Sequence, residues 1–157
     1  LISINGNVTE YASNAGAEVQ GASATTFPAS TWNNVGTATV SRFVTAGDFI
    51  STGQGSVSVV TPATANTGAR NTLTTALTPN TPYNVSFAAR LTSGTFTDLN
   101  VYYSINGTAN SVLCATSQDV TISVWTKVNC AFTTPASGIT SANAILIQQA
   151  TATARTF

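Results

Sequence analysis

A strict alternation of apolar and polar side chains runs through the segment TPYNVSFAARL, residues 81–91. One side carries Tyr83, Val85, Phe87, Ala89 and Leu91, and the other carries Asn84, Ser86, Ala88 and Arg90. Successive side chains of a β-strand point to opposite faces of the sheet. The pattern therefore predicts a strand with an apolar core face and an outer face of amide, hydroxyl and guanidinium groups.

Segments with the same two-residue period recur along the chain between Gly, Pro and Asn turns, and none shows a sustained helical stripe. We predict strands over residues 1–4, 38–43, 55–60, 71–77, 82–91, 99–105, 111–116, 125–133 and 144–149. Residues 5–34 are weakly patterned and are expected to wrap the fold as a loop with room for one short strand. Asn106-Gly107 is the strongest hairpin signal, because both residues tolerate the positive φ of a type I′ turn.

Short strands at this regular spacing predict an all-β fold of two packed antiparallel sheets, best described as a jelly-roll sandwich. The chain has 157 residues, which suits a single domain over residues 1–157. In LNVYYSI the alternation leaves Asn100 and Tyr102 outside, and in AILIQQ it leaves Gln148 outside. If these strands share a sheet with residues 82–91, their outer face combines the side chains of Asn84, Ser86, Arg90, Asn100, Tyr102 and Gln148.

This expected face suits sugar recognition, because a sugar ring stacks its C–H groups on an aromatic plane while amides and arginine bind its hydroxyls. Tyr102 is the best candidate for that plane. The alternative is an edge-strand tyrosine that covers apolar surface. Trp32 and Trp125 are expected to close the ends of the sandwich core.

Charged residues make up only 6% of the chain and the formal net charge is zero, against about 25% charged residues in average proteins. No basic stripe is present to bind a phosphate backbone, which excludes nucleic acid and disfavours an anionic membrane surface. The longest apolar runs, such as AILI at residues 144–147, are far shorter than the roughly 20 residues that span a bilayer. The Thr-rich, low-charge surface is typical of secreted or cell-surface (extracellular) proteins.

The chain contains no histidine, which removes the usual general base and most nucleophile systems. The carboxylates are Glu10, Glu18, Asp48, Asp98 and Asp119. Most lie in or beside predicted turns and are read as solvated residues, so we expect no enzyme activity and no catalytic residues. Asp98 with Asp119 is the one pair whose convergence would indicate a glycosidase.

Cys114 and Cys130 lie in neighbouring strand-like segments and could face each other across an antiparallel pair folded near residues 121–123. A disulfide is favoured in an oxidising compartment, and two buried free thiols are the alternative. No cofactor is required by any motif. A structural calcium ion is conceivable, with Asn5, Asn7 and Glu10 as candidate oxygen ligands.

Four segments in this order resemble carbohydrate-binding modules of families four and nine, which are galactose-binding-like jelly rolls. They are STGQGSVSVVT (51–61), TTALTPNTPYNVSFAARLTSG (74–94), VWTKVNCAFTTP (124–135) and AILIQQA (144–150). The opening LISINGNVTE is similar to the family's N-G-x-F-E start, with Asn5 and Gly6 in place. Trp125 matches the family's W-T position.

The resemblance implies a non-catalytic polysaccharide-binding sandwich with a groove on one sheet, often with structural calcium. By position it assigns the groove to YNVSFAAR and LNVYYSI, with Arg90, Asn100, Tyr102 and Gln148 as candidate contacts, and it gives Trp125 a structural role. Residues 153–157 stand where the family continues into a closing strand, which predicts an open sheet edge available for self-assembly. The alternative function is a structural subunit of an extracellular filament, surface layer or virion.

Overall fold

A computed structural model describes residues 3–4, 20–28, 31–44, 55–92 and 96–157, with the backbone alone at residues 3, 4 and 116–118. Its strands are β1 (Ser3–Ile4), β2 (Trp32–Val35), β3 (Thr39–Phe43), β4 (Ser56–Thr61), β5 (Gly68–Thr72), β6 (Pro82–Ala89), β7 (Phe96–Ser104), β8 (Val112–Val120), β9 (Thr126–Thr133), β10 (Ala144–Gln149) and β11 (Arg155–Thr156). Within these ranges, no helix has the length and apolar character needed to cross a bilayer.

One layer of the fold is a five-stranded antiparallel sheet in the order β2-β5-β10-β7-β8. The other layer contains two three-stranded sheets, β1-β6-β9 and β11-β4-β3. The backbone N–H of Thr92 donates to the carbonyl oxygen of Thr156 at 3.1 Å, which links the end of β6 to β11. The expected two-layer, all-β architecture is therefore confirmed.

Apolar side chains of both layers form one core. In β6 the alternation is as predicted, since Tyr83, Val85 and Phe87 are buried while Asn84 is exposed. Phe132 of β9 stacks on Tyr103 of β7 with ring centroids 4.8 Å apart, which packs one layer against the other. Trp32 is buried in this core, as expected.

The strand predicted over residues 71–77 lies earlier, at Gly68–Thr72. A Cβ atom at Gly68 would lie 2.0 Å from the carbonyl oxygen of Ile147, so only glycine allows the close approach of β5 to β10. The predicted strand instead extended to Leu73 and Leu77. Those leucines are buried, but they follow the strand.

The β7–β8 hairpin is present, yet its connection spans residues 105–111 and is not a type I′ turn. Only Gly107 has positive φ, at 81°. The side-chain Oδ1 of Asn106 instead accepts hydrogen bonds from the backbone N–H groups of Thr108, at 3.1 Å, and Ala109, at 2.9 Å. Asparagine thus shapes this loop through its side chain, an alternative that the dipeptide alone did not reveal.

The edge expected to be open at the C-terminal segment is paired. Arg155 and Thr156 lie opposite Thr61 and Val60 of β4, and Phe157 exchanges two backbone hydrogen bonds with Val59, of 2.7 and 3.0 Å. The prediction was wrong because residues 155–157 themselves serve as the closing strand. The prediction rested on the family resemblance, in which the chain continues at this point into a closing strand.

Asp98 fixes this C-terminal segment. Its carboxylate accepts hydrogen bonds from the backbone N–H of Thr151, at 2.7 Å, and from the Thr151 hydroxyl, at 2.5 Å, and it pairs with Arg155 at 2.9 Å. Burial alone raises the pKa of Asp98, but the hydrogen bonds from Thr151 and the charge of Arg155 outweigh burial and hold the pKa below 3.8.

Cys114 of β8 and Cys130 of β9 form a disulfide, as favoured from the sequence. The two strands do not belong to one sheet, however, because β8 ends the five-stranded sheet and β9 ends a sheet of the other layer. The bond therefore fastens the two layers at one edge of the sandwich.

Removing the disulfide by replacing Cys114 and Cys130 with alanine together should lower the free energy of unfolding by about 3 kcal/mol, because the bond closes a loop whose ends are 16 residues apart. Chemical denaturation measures this. Reduced wild-type protein should show the same loss, and the double variant should not respond to reductant. An unchanged denaturation midpoint would contradict a stabilising role.

Asp98→Asn should destabilise the protein near pH 7 by about 2 kcal/mol, since it removes a charge-assisted hydrogen-bond set and leaves Arg155 unpaired. A native-state pKa below the unfolded value contributes stability that is complete above the unfolded pKa. That contribution is lost as the pH falls through the native pKa. Unfolding measured from pH 7 to pH 2 should therefore converge for wild type and D98N at low pH. Asp119→Asn, at an exposed position, is the matched control and should follow the wild-type curve.

Candidate functional site

The six predicted contact residues lie on two opposite surfaces of the sandwich. Asn100, Tyr102 and Gln148 lie on β7 and β10 of the five-stranded sheet, whereas Asn84 and Ser86 lie on β6 of the other layer, with Arg90 directly after that strand. Both sets point away from the same core, so they point away from each other. The assumption of a shared sheet was wrong, because alternation identifies the outer side of each strand but not which strands are neighbours.

On the five-stranded sheet, one residue from each strand forms a line across the outer face. The pairing registers give the order Asn33, Arg70, Leu146, Tyr102 and Leu113, from β2 to β8. We call this line the cross-sheet row. At about 4.8 Å per strand, four spacings give it a length of roughly 19 Å.

The β7 and β8 end of the row is a platform of aromatic and apolar surface. Tyr102 is half-buried, Leu113 beside it is 50% exposed, and Leu146 on its other side is fully buried. The Tyr102 hydroxyl accepts a hydrogen bond of 3.3 Å from the side-chain amide of Asn100. This arrangement holds the ring beside an amide donor, which is the pairing that sugar stacking requires.

Gln148 follows Leu146 by two residues on β10 and is 2% exposed. Its amide exchanges two hydrogen bonds with the amide of Asn110, of 3.3 and 3.2 Å. Gln148 therefore holds the loop 105–111 over β10, and Asn110 is the exposed amide of this pair. Asn110 was missed from sequence because loop residues have no face to assign.

Arg70 is the charged residue of the row and was also missed. The predicted strand began one residue too late, although the alternation with the buried neighbours Ala69 and Asn71 would have placed it on the outer face. Its Nη1 donates to the carbonyl oxygen of Gly107 at 3.1 Å. Its Nε is buried and has no hydrogen-bond partner within the described residues.

The opposite surface offers a flat polar strip and one cation–π pair. Asn84 is exposed and Ser86 is half-buried, and their cross-strand partners are Ala131 and Asn129. The guanidinium of Arg90 lies 5.1 Å from the ring centroid of Trp125. Arg90 and Trp125 thus pack on each other, and a structural contribution of the half-buried Trp125 agrees with the role that the resemblance implied.

The remaining candidates are the calcium ligands and the Asp98 and Asp119 pair. Asn5, Asn7 and Glu10 lie outside the described residues, and the described part of the chain holds no group of three or more His, Cys, Asp or Glu suited to a metal ion. Asp98 and Asp119 are near neighbours in the pairing of β7 with β8, since Phe96 lies opposite Val120 and Leu99 opposite Gln118. The carboxylate of Asp98 is engaged by Thr151 and Arg155, which lower its pKa.

The described fold is a β-sandwich that carries the cross-sheet row on the outer face of its five-stranded sheet. The sequence matches the carbohydrate binding domain family, which joins modules of types 4 and 9, over residues 10–153, and the chain belongs to this family. The predicted resemblance and the predicted carbohydrate-binding function are confirmed by this match. Comparison with curated proteins gave no match.

Solved structures share the fold at low sequence identity. A family 22 xylan-binding module of Paenibacillus barcinonensis is 15% identical with a TM-score of 0.66, over 93% of this chain and 85% of that one. An arabinose-bound α-L-arabinofuranosidase is 18% identical with a TM-score of 0.73, over 94% of this chain and 25% of that one. An endo-1,4-β-D-xylanase of Clostridium thermocellum in complex with xylohexaose is 20% identical with a TM-score of 0.60, over 81% of this chain and 24% of that one. These likenesses confirm the jelly-roll fold.

Proposed function

We propose that this chain is a non-catalytic module that binds a xylan-type polysaccharide across the outer face of its five-stranded sheet. The observation that carries the proposal is the cross-sheet row, with Tyr102 as its aromatic plane. Xylan is the ligand class named for the family 22 module, and xylohexaose is the ligand in the xylanase structure. A row of roughly 19 Å suits a chain of several sugars better than a single monosaccharide.

The chemistry of the row supports polymer binding without strong electrostatics. The ring of Tyr102 and the methyl groups of Leu113 form an apolar surface on which the C–H face of a sugar can lie. Asn100 and Asn110 flank that surface with amide groups, which can donate to and accept from hydroxyls. Asn84, Ser86 and Arg90 are on the opposite surface and take no part in this proposed groove.

The absence of catalysis is part of the proposal. In the described residues, the carboxylate of Asp98 accepts hydrogen bonds from Thr151 and pairs with Arg155, and these contacts hold the C-terminal segment.

Extracellular location is also proposed. The Cys114–Cys130 disulfide suits an oxidising compartment, and a polysaccharide ligand suits it equally. A single domain over residues 1–157 stays a prediction.

The structural-subunit alternative is not favoured by the family match. The self-assembly prediction rested on an open sheet edge at the C-terminal segment. There β11 pairs with β4, so strand pairing between chains at this edge is no longer supported. Self-assembly itself stays untested.

Tyr102→Ala should weaken binding to insoluble or soluble xylan about five- to thirtyfold, because stacking of one sugar on an aromatic ring contributes about 1–2 kcal/mol and the alanine removes it. Tyr102→Phe should retain most of the affinity, since it keeps the plane. Affinity electrophoresis or calorimetry measures both variants.

Asn84→Ala is the matched control for Tyr102→Ala, since it lies on the opposite layer and is exposed. It should bind like wild type. Equal binding by wild type and Y102A, with unchanged melting temperatures, would contradict the proposed position of the groove. Loss of binding in N84A alone would move the site to the other layer.

Calcium binding stays a prediction. If Asn5, Asn7 and Glu10 hold an ion, calcium should raise the melting temperature relative to protein in chelator, because a ligand that binds the native state stabilises it by mass action. Glu10→Gln should reduce that shift. Equal melting temperatures in calcium and in chelator would contradict the prediction without affecting the proposed groove.

A further inference from the structure

Arg70 has one guanidinium nitrogen that the described residues leave open. Its Nη1 donates to the carbonyl oxygen of Gly107, at 3.1 Å. Its Nε is buried without a partner within the described residues and is out of reach of a ligand. Nη2 is not buried in this way and makes no hydrogen bond within the described residues. Nη2 is therefore the N–H group that can bind a carboxylate from outside the protein.

The loop 105–111 fixes the position of this guanidinium. Gly107, with φ of 81°, brings the loop 105–111 so close to the segment before β10 that a Cβ there would lie 2.5 Å from the carbonyl oxygen of Ala142 and 3.8 Å from Arg70 Nη1. The loop can hold Nη1 only because residue 107 is glycine. The half-buried Arg70 is thus fixed on the outer face at one end and unpaired at the other.

The charge of Arg70 is not balanced by a carboxylate within the described residues. A guanidinium keeps its charge at any ordinary pH. No carboxylate of the described residues forms a salt bridge with Arg70, whereas Arg155 has Asp98 at 2.9 Å. An anion supplied by a ligand would balance this charge at Nη2.

We propose that the module selects polysaccharides that carry uronic acid side groups or residues, with Arg70 binding the sugar carboxylate through its Nη2 group. This inference rests on the proposed function, since it places the acidic sugar on the same cross-sheet row. Arg70 is a specificity residue here, and Tyr102 supplies affinity that does not depend on charge.

The spacing in the row suits one chain that touches both residues. Arg70 and Tyr102 are on β5 and β7, two strand spacings apart, or roughly 10 Å. Leu146 between them is fully buried and lies below the surface that a ligand would touch. A short oligosaccharide can stack on Tyr102 and present a carboxylate to Arg70. Asn33, the neighbour of Arg70 in the row, adds an amide for hydroxyl groups.

The test compares a matched pair of polymers, glucuronoxylan and the same preparation after chemical reduction of its carboxyl groups to alcohols. We expect wild-type protein to bind the carboxylated polymer about tenfold more tightly, since one charge-assisted hydrogen-bond pair has that effect. The preference should shrink as salt rises from 0.05 to 0.5 M, roughly as expected for screening of a partly exposed ion pair. Calorimetry and affinity electrophoresis give the two constants.

Two variants separate the role of Arg70 from a general effect on folding. Arg70→Gln should bind both polymers with the affinity that wild type has for the reduced one, and Arg70→Lys should keep part of the preference. Lys127→Gln, an exposed cation on the opposite layer, is the control and should keep all of it. Melting temperatures report whether each variant is folded. The wild-type comparison of polymers stands even if an Arg70 variant does not fold.

The outcomes distinguish this inference from the proposed function. Equal binding of both polymers by wild type would overturn the acidic-sugar preference and leave the polysaccharide site intact. A preference that persists in R70Q and disappears in K127Q would also overturn it. Failure of folded wild type to bind either polymer, or any neutral polysaccharide, would instead contradict the proposed function.

Discussion

Burial of β10 on both of its sides is the constraint on which the other features of the sandwich depend. All six of its residues are buried, although only one side faces the core. Ile145 and Ile147 pack inward, while Ala144, Leu146 and Gln148 point to the outer face and still lose their solvent contact. A central strand of an exposed sheet does not achieve this unless something lies across it. The loop 105–111 does so, through Asn110 on Gln148 and Gly107 on Arg70.

This covering decides where a ligand can bind. It removes Gln148 from the accessible surface and leaves Tyr102 and Leu113 on one side and Arg70 and Asn33 on the other. The same device therefore stabilises β10 and leaves an aromatic end and a cationic end of the cross-sheet row on the outer face. Both depend on small residues, since Gly68 brings β5 against β10 and Gly107 brings the loop down. The stability and specificity of this face therefore depend on close contacts between backbone segments as much as on side-chain chemistry.

The sequence was sufficient for the fold class, the family, the disulfide pair and most strands, because each depends on local alternation or on motif order. Tyr102 was placed on an outer face for the same reason. The sequence did not show that β6 and β7 belong to opposite layers, since period-two patterns carry no information about strand neighbours. Arg70 was missed through a strand boundary that Gly68 obscured, and the closing strand at Arg155–Thr156 was missed because two residues have no period to detect.

Three arginines, Arg70, Arg90 and Arg155, differ in the groups that contact their guanidinium. Arg155 has the carboxylate of Asp98 and the ring of Phe96, with its Cζ 4.7 Å from the ring centroid, so its charge serves the fold. Arg90 stacks on Trp125. Within the described residues, Arg70 donates to a backbone carbonyl, which orients a guanidinium without balancing its charge. In a chain with so few charged residues, a fixed and uncompensated cation is costly to the free protein. Arg70 lies on the face that carries Tyr102, so a ligand bound to that face can supply the anion that balances its charge.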